Sequence, residues 1–279
     1  MKTEQITPFT GLEITDVDLT SVDLDGASGA ELQALLVQHK VLVFRDQHLA
    51  REDHKRFARS FGEIHIHPSK RNGLNKEDPE LFIVNTPADA PWSNGEAWHS
   101  DVSSEEIPPA ISLLYVSKIP DNGGGDTAFA NMNRIFTELS PAMQKFLLNK
   151  TAYHDGEIDL ANYGIRLREG ETYPKATHPV VIAHPVSGEP VLFVNGCFVS
   201  HIVELSRWES DVILKGLYQF TATNMRAQCR VKWRPGTLVV WDNRAVQHQA
   251  IRDYAGFARY GERVSVMDGM RPVAWQADL

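Results

Sequence analysis

Cysteine is scarce in this chain: only Cys197 and Cys229 occur among 279 residues. Two thiols make no disulfide framework and fit a reducing compartment in which both stay free. Long apolar runs are also missing. Nothing approaches the roughly 18 consecutive apolar residues of a membrane-spanning helix. The opening stretch MKTEQITPFTGLEIT has no apolar core of the kind a secretory signal needs. Cytoplasmic residence, without a membrane partner, is the expectation. Positive charge is thinly spread as well. The net charge is −8 and the isoelectric point about 5.8. The most basic segment, RDQHLAREDHKR at 45–56, is interrupted by acids and reads as a solvated helix face. A nucleic-acid partner requires a basic face that this sequence does not supply.

What is present suits one globular unit. Hydrophobic residues make up 42% of the chain and charged residues 23%, and no repeat, low-complexity stretch or Ser/Pro-rich linker divides it. All-β barrels reach this length as single domains, so residues 1–279 are read as one. Apolar spacing predicts helices over 29–39 and 51–61. Ser140-Pro141 opens a short helix over 140–149, and a Ser206/Glu209 capping box opens one running to Thr223. Strands are predicted at 40–44, 111–119, 189–195, 227–233, 236–242 and 259–267, all rich in β-branched and aromatic residues. Many short strands with a few peripheral helices predict a mostly β fold, a double-stranded β-helix of jelly-roll, cupin-like type. The polar stretch around 152–177 is read as a lid-like excursion over the barrel mouth.

The first chemical signal is Trp98-His99-Ser100-Asp101. In extended backbone, residues two apart share a face, so His99 and Asp101 can lean toward one ion. Two histidines and one carboxylate on a triangular face leave positions open for oxygen chemistry at iron(II). The motif is weak alone, because 11 histidines give about one His-x-Asp by chance. A locally hydrogen-bonded strand end is the bland alternative. The C-terminal third offers a third ligand, His248, after a turn and a strong strand. Arg259 and Arg263 follow, four apart on one strand face, an arrangement suited to anions. His65 and His67 alternate along EIHIHP without a neighbouring carboxylate, which favours His67 as a pocket residue over a second metal pair. His154, His178, His184 and His201 are read as structural or surface residues, with His178-Pro179 and His184-Pro185 as turn elements. Gly123-Gly124-Gly125 is too short for a phosphate loop and reads as a tight turn placing Thr127. Glu105-Glu106 is read as solvated.

Taken together, these motifs resemble the taurine dioxygenase and phenoxyacetate dioxygenase (TauD/TfdA) family of iron(II)/2-oxoglutarate oxygenases. The resemblance runs through Val43–Gln47, Phe61-Gly62-Glu63, His99-Ser100-Asp101, Gly124–Thr127, Phe193-Val194-Asn195, Trp241–Arg244, His248 and the arginine pair. It implies His99, Asp101 and His248 as catalytic iron ligands, with Thr127 and Arg259 on the far carboxylate of 2-oxoglutarate. It also implies O2 as the oxidant, succinate and carbon dioxide as co-products, and a substrate pocket including His67, Val102, Phe198 and Arg263. Two positions depart from the taurine enzyme: Lys70 stands where it has tyrosine, and Gly95 where it has asparagine. Those losses argue against taurine, the glycine makes room for something bulkier, and the retained Arg263 favours an anionic small molecule, oxidised by hydroxylation, cleavage or desaturation. A homo-oligomer, dimer or tetramer, is expected by resemblance. Two other readings stay open from the residues: a non-catalytic jelly-roll protein that binds a metal or small anion, and a zinc hydrolase.

Overall fold

The structure is a computed structural model that describes residues 1–70, 78–93, 95–163 and 167–276. Its largest sheet has eight strands. Seven run in the order Lys2–Gln5, Leu12–Thr15, Val41–Phe44, Thr237–Asp242, Ile111–Lys118, Arg259–Met267 and Glu63–Ile64, while Phe82–Thr86 pairs separately with Arg259–Met267. All pairings are antiparallel except that of Leu12–Thr15 with Val41–Phe44. A three-stranded sheet, Gln228–Val231, Thr127–Asn131 and Val246–Ala250, packs against it.

Strand alternation sorts the side chains into two cores. Val41, Val43, Leu114, Val116, Val239 and Trp241 point into the sandwich, where they meet Phe129, Cys229, Val231 and Val246 of the smaller sheet. Their neighbours Leu42, Phe44, Leu113, Leu238 and Val240 point the other way, onto the helices Ala27–His39 and Arg51–Arg59 through Leu32, Leu36 and Phe57. Strands covered on both faces have no polar side, so runs such as VLVF and LVVW are continuously apolar. A third cluster seats the helices Met132–Thr137 and Arg207–Thr223 on strands Val181–Ala183 and Pro190–Leu192. The expected jelly roll is therefore present, with helices outside it.

Several local expectations change. The stretch 152–177 is not one excursion: Thr151–Asp155 and Lys175–Pro179 are antiparallel strands of a sheet with Val199–Ile202, and the described residues between them include the short helices Glu157–Leu160 and Ala161–Tyr163. Ala152 and His154 face inward in that sheet, and the polar His154 at a buried position hid the period of two. Residues 164–166 lie outside the described residues. His178-Pro179 ends a strand, whereas His184-Pro185 does begin a turn. Within 45–56, Arg45 is buried against Glu13 at 2.7 Å, and His54 and Lys55 are also buried, so that segment is not a wholly solvated face. Glu105 is buried too, 2.9 Å from His65 Nε2, while Glu106 is exposed beside Arg271. Among the described residues, no helix is long and apolar enough to cross a membrane.

Candidate active site

His99 and His248 form an isolated antiparallel bridge, each N–H donating to the other's carbonyl at 3.1 and 2.8 Å. That bridge adds the 98–101 segment to the edge of the smaller sheet and brings the two imidazoles to 4.1 Å, centroid to centroid, with their planes tilted by 44°. Asp101 follows two residues on and turns its carboxylate to the same point. Its Oδ1 lies 3.8 Å from His99 Nε2 and 3.9 Å from His248 Nε2. The three residues are buried, and their ligand atoms lie within 4.8 Å of one another; no other such group occurs among the described residues.

The protonation pattern suits a metal. His99 Nδ1 sits 2.7 Å from the Ala97 carbonyl, which requires the proton on Nδ1 and leaves the Nε2 lone pair free. Burial, then the neighbouring His99, holds His248 well below the ordinary histidine range, so it is a neutral ligand at neutral pH. Burial alone would raise the Asp101 carboxyl. The Arg263 guanidinium, both imidazoles and the Ser112 hydroxyl outweigh it and hold Asp101 well below the usual carboxylate range. Two imidazole nitrogens and a carboxylate oxygen are the donor set for iron(II) oxygen chemistry.

Beside this triad, a cavity is lined by Phe82, Val84, Gly95, Leu114, Thr127, Phe129, Trp241 and Ala250, with His99, His248, Arg259 and Arg263. Arg259 is 3% exposed, and its Nε and Nη2 have no acceptor among the described residues. Its guanidinium lies 5.4 Å from the Trp233 ring. A buried cation with unused donors is costly unless an anion completes it. Thr127 Oγ1 accepts from Trp233 Nε1 at 3.0 Å, which leaves its own proton available to donate. The glycine turn brings these parts together. Gly125 has φ +83°, and a Cβ there would stand 3.1 Å from Arg259 Cδ. A carboxylate facing Arg259 and Thr127 would be bound by charge and by directed hydrogen bonds.

Arg263 lines the cavity and is also tied to the triad. Its Nη1 donates to Asp101 Oδ1, and its guanidinium lies 4.7 Å from the Phe82 ring. His67, Val102 and Phe198 are buried but do not line the cavity. The His67 ring packs behind Phe82 at 4.6 Å, and Phe198 N–H donates to Asn195. Val102 has φ +44°, a rare conformation for a β-branched residue. Sequence reading missed Phe82, Trp233 and Ser112 at the site. Ser112 gave a usable signal, being a small polar residue inside the apolar strand ISLLYV. A larger cavity of about 390 Å³ lies elsewhere, among Pro108, Phe193, Met270 and Val273. Its charged lining residues are already paired, Arg244 with Asp268 and Arg271 with Glu106, whereas the metal donors converge beside the smaller cavity.

Comparison with known proteins agrees with this geometry. Residues 2–265 match the family described as "Taurine catabolism dioxygenase TauD, TfdA family". The chain is 38% identical over 269 residues to an alpha-ketoglutarate-dependent sulfonate dioxygenase of Saccharomyces cerevisiae, covering 91% of this chain and 63% of that relative. It is 33% identical to an alpha-ketoglutarate-dependent sulfate ester dioxygenase of Pseudomonas putida, covering 96% and 90%. A taurine dioxygenase crystal structure from Burkholderia xenovorans superposes with a TM-score of 0.80 at 29% identity, over 99% of this chain and 96% of that one. The chain belongs to the TauD/TfdA dioxygenase family.

Proposed function

We propose that the protein is an iron(II)- and 2-oxoglutarate-dependent dioxygenase acting on a small organic anion bulkier than taurine. The observation that carries this reading is the buried His99, Asp101, His248 triad beside the buried Arg259 guanidinium, whose Nε and Nη2 have no acceptor among the described residues. His99 Nε2, His248 Nε2 and Asp101 Oδ1 would hold the metal. When bound, iron(II) would supply the activation of oxygen that couples 2-oxoglutarate decarboxylation to substrate oxidation. Arg259 and Thr127 would receive the far carboxylate of 2-oxoglutarate, orienting its other end toward the triad. The rings of Phe129 and Trp241, with centroids 6.0 and 4.8 Å from that of His248, wall the site and limit access of water.

Arg263 supports an anionic substrate, because it brings a second cation to the same cavity. The reading as a sulfonate or sulfate ester draws on the relatives named for those substrates. Gly95 supports a bulkier one. It lines the cavity and also an outer hollow of about 390 Å³ bounded by Trp92, Ala97, Asn162 and Cys197. A Cβ at Gly95 would stand 3.2 Å from His99 Cε1, so any larger residue takes up space beside the triad. The test is succinate release coupled to oxygen uptake across alkanesulfonates, alkyl sulfate esters and aryloxyalkanoates. At least one series should raise succinate formation well above the substrate-free rate, with taurine a poor member. A jelly-roll binder without turnover would give no succinate with any of them.

A further inference from the structure

Asp101 is gripped on its main chain and on its side chain by residues that are not ligands themselves. Asn243 Oδ1 accepts from the Asp101 N–H at 2.7 Å, and Asn243 Nδ2 donates to the Asp101 carbonyl at 3.0 Å. The same nitrogen donates to the Pro109 carbonyl at 2.8 Å. Both amide protons and an oxygen lone pair are thus in use, and a flipped amide would oppose like groups at all three contacts. Ser112 holds the other end. Its Oγ donates to Asp101 Oδ2 at 2.8 Å, which spends its only proton. The 2.8 Å contact with Ser265 Oγ therefore has Ser265 as donor. With Oδ2 held by this hydroxyl pair, Oδ1 faces His99 and His248.

The grip stands on rigid ground. Ser112 lies in the strand Ile111–Lys118, and Asn243 directly follows the strand Thr237–Asp242 that pairs with it. Asn243 N–H donates to the Ala110 carbonyl at 2.9 Å. Its neighbour Asp242 is fully buried, bonded by Arg244 Nη2 at 2.7 Å and lying 2.9 Å from His184 Nε2. What it holds is strained: Val102, next in the chain, takes φ +44°. Such backbone persists only where the surroundings over-determine it. Asn243 fixes the peptide planes on both sides of residue 101 and supplies that restraint.

We infer that Asn243 and Ser112 are positioning residues for the metal's carboxylate ligand: they set where Asp101 presents Oδ1 and thereby the affinity of the site. The inference rests on the proposed reading of the triad as the metal centre. Its test is anaerobic titration with Mn(II) alone, following the free-ion paramagnetic resonance signal, so that no turnover is needed. Asn243→Ala and Ser112→Ala should each weaken Mn(II) binding ten- to a hundredfold, with far-ultraviolet circular dichroism unchanged at the titration temperature. Thr10→Val removes a buried hydrogen bond from Thr10 to the Ala227 carbonyl, far along the chain from the triad. It should lower thermal stability and leave Mn(II) affinity alone. Both variants binding Mn(II) within threefold of wild type would overturn the inference. Should Asn243→Ala not fold, Ser112→Ala carries the same test. His99→Ala separates the two claims: if it binds Mn(II) as wild type does, the metal reading itself has failed.

Discussion

Asp101 meets a guanidinium, two imidazoles and a hydroxyl within one buried point, and each contact has a separate consequence. The depressed carboxyl stays ionised throughout the working pH range, so metal binding should not be lost by protonation of Asp101 above about pH 5. Of the two arginines, Arg259 has no acceptor for Nε or Nη2 among the described residues, whereas Arg263 Nη1 donates to Asp101. Arg259→Met should raise the half-saturating 2-oxoglutarate concentration by roughly ten- to a hundredfold, the scale of a charged hydrogen bond. Arg263→Ala should instead weaken substrate-stimulated succinate formation, with 2-oxoglutarate half-saturation changed less than about threefold. Equal losses of both would assign Arg263 to the co-substrate.

At the scale of elements, the sequence was most informative where periodicity and caps coincide. The helix Arg207–Thr223 begins at the capping box read from Ser206 and Glu209, with Ser206 N–H donating to Glu209 Oε2 at 2.9 Å. Ser206→Ala should lower stability by about 1 kcal/mol without touching the triad, measurable by denaturant unfolding. The strand Arg259–Met267 was legible to its ends because Tyr260, Val264 and Val266 are strand-favouring residues. Thr151–Asp155 was not, since an inward histidine replaces an apolar residue there. The candidate site divides in the same way. Ligands and arginines carry chemistry in their residue types and could be read along the chain. Phe82, Trp233 and Ser112 are ordinary strand and loop residues whose role arises only when distant segments meet. Gly125 links the two scales: Gly125→Ala places a side chain at φ +83° and presses on Arg259. It should weaken 2-oxoglutarate binding more than metal binding, as two separate titrations would show.

Across the whole molecule, buried histidines set the response to acid. Burial pushes His54 down to about 4 and holds His154, His178 and His248 below the ordinary range; His99 adds to this at His248 and His178 at His154. The unfolded chain takes up protons at these positions from about pH 6.5 downward, before the folded chain does. Stability should therefore be greatest near neutral pH and fall as pH drops through 6, well before carboxylates are affected. A metal-free melting temperature unchanged between pH 7.5 and 5 would contradict this burial pattern. The proposed activity depends on the convergence of His99, Asp101 and His248 beside Arg259. It is tested most directly by adding iron(II) and 2-oxoglutarate without oxygen and recording the visible spectrum. A weak charge-transfer band is expected in the wild-type protein and is lost in His99→Ala. An absent band in the wild type, or one unchanged in His99→Ala, would contradict the proposed activity.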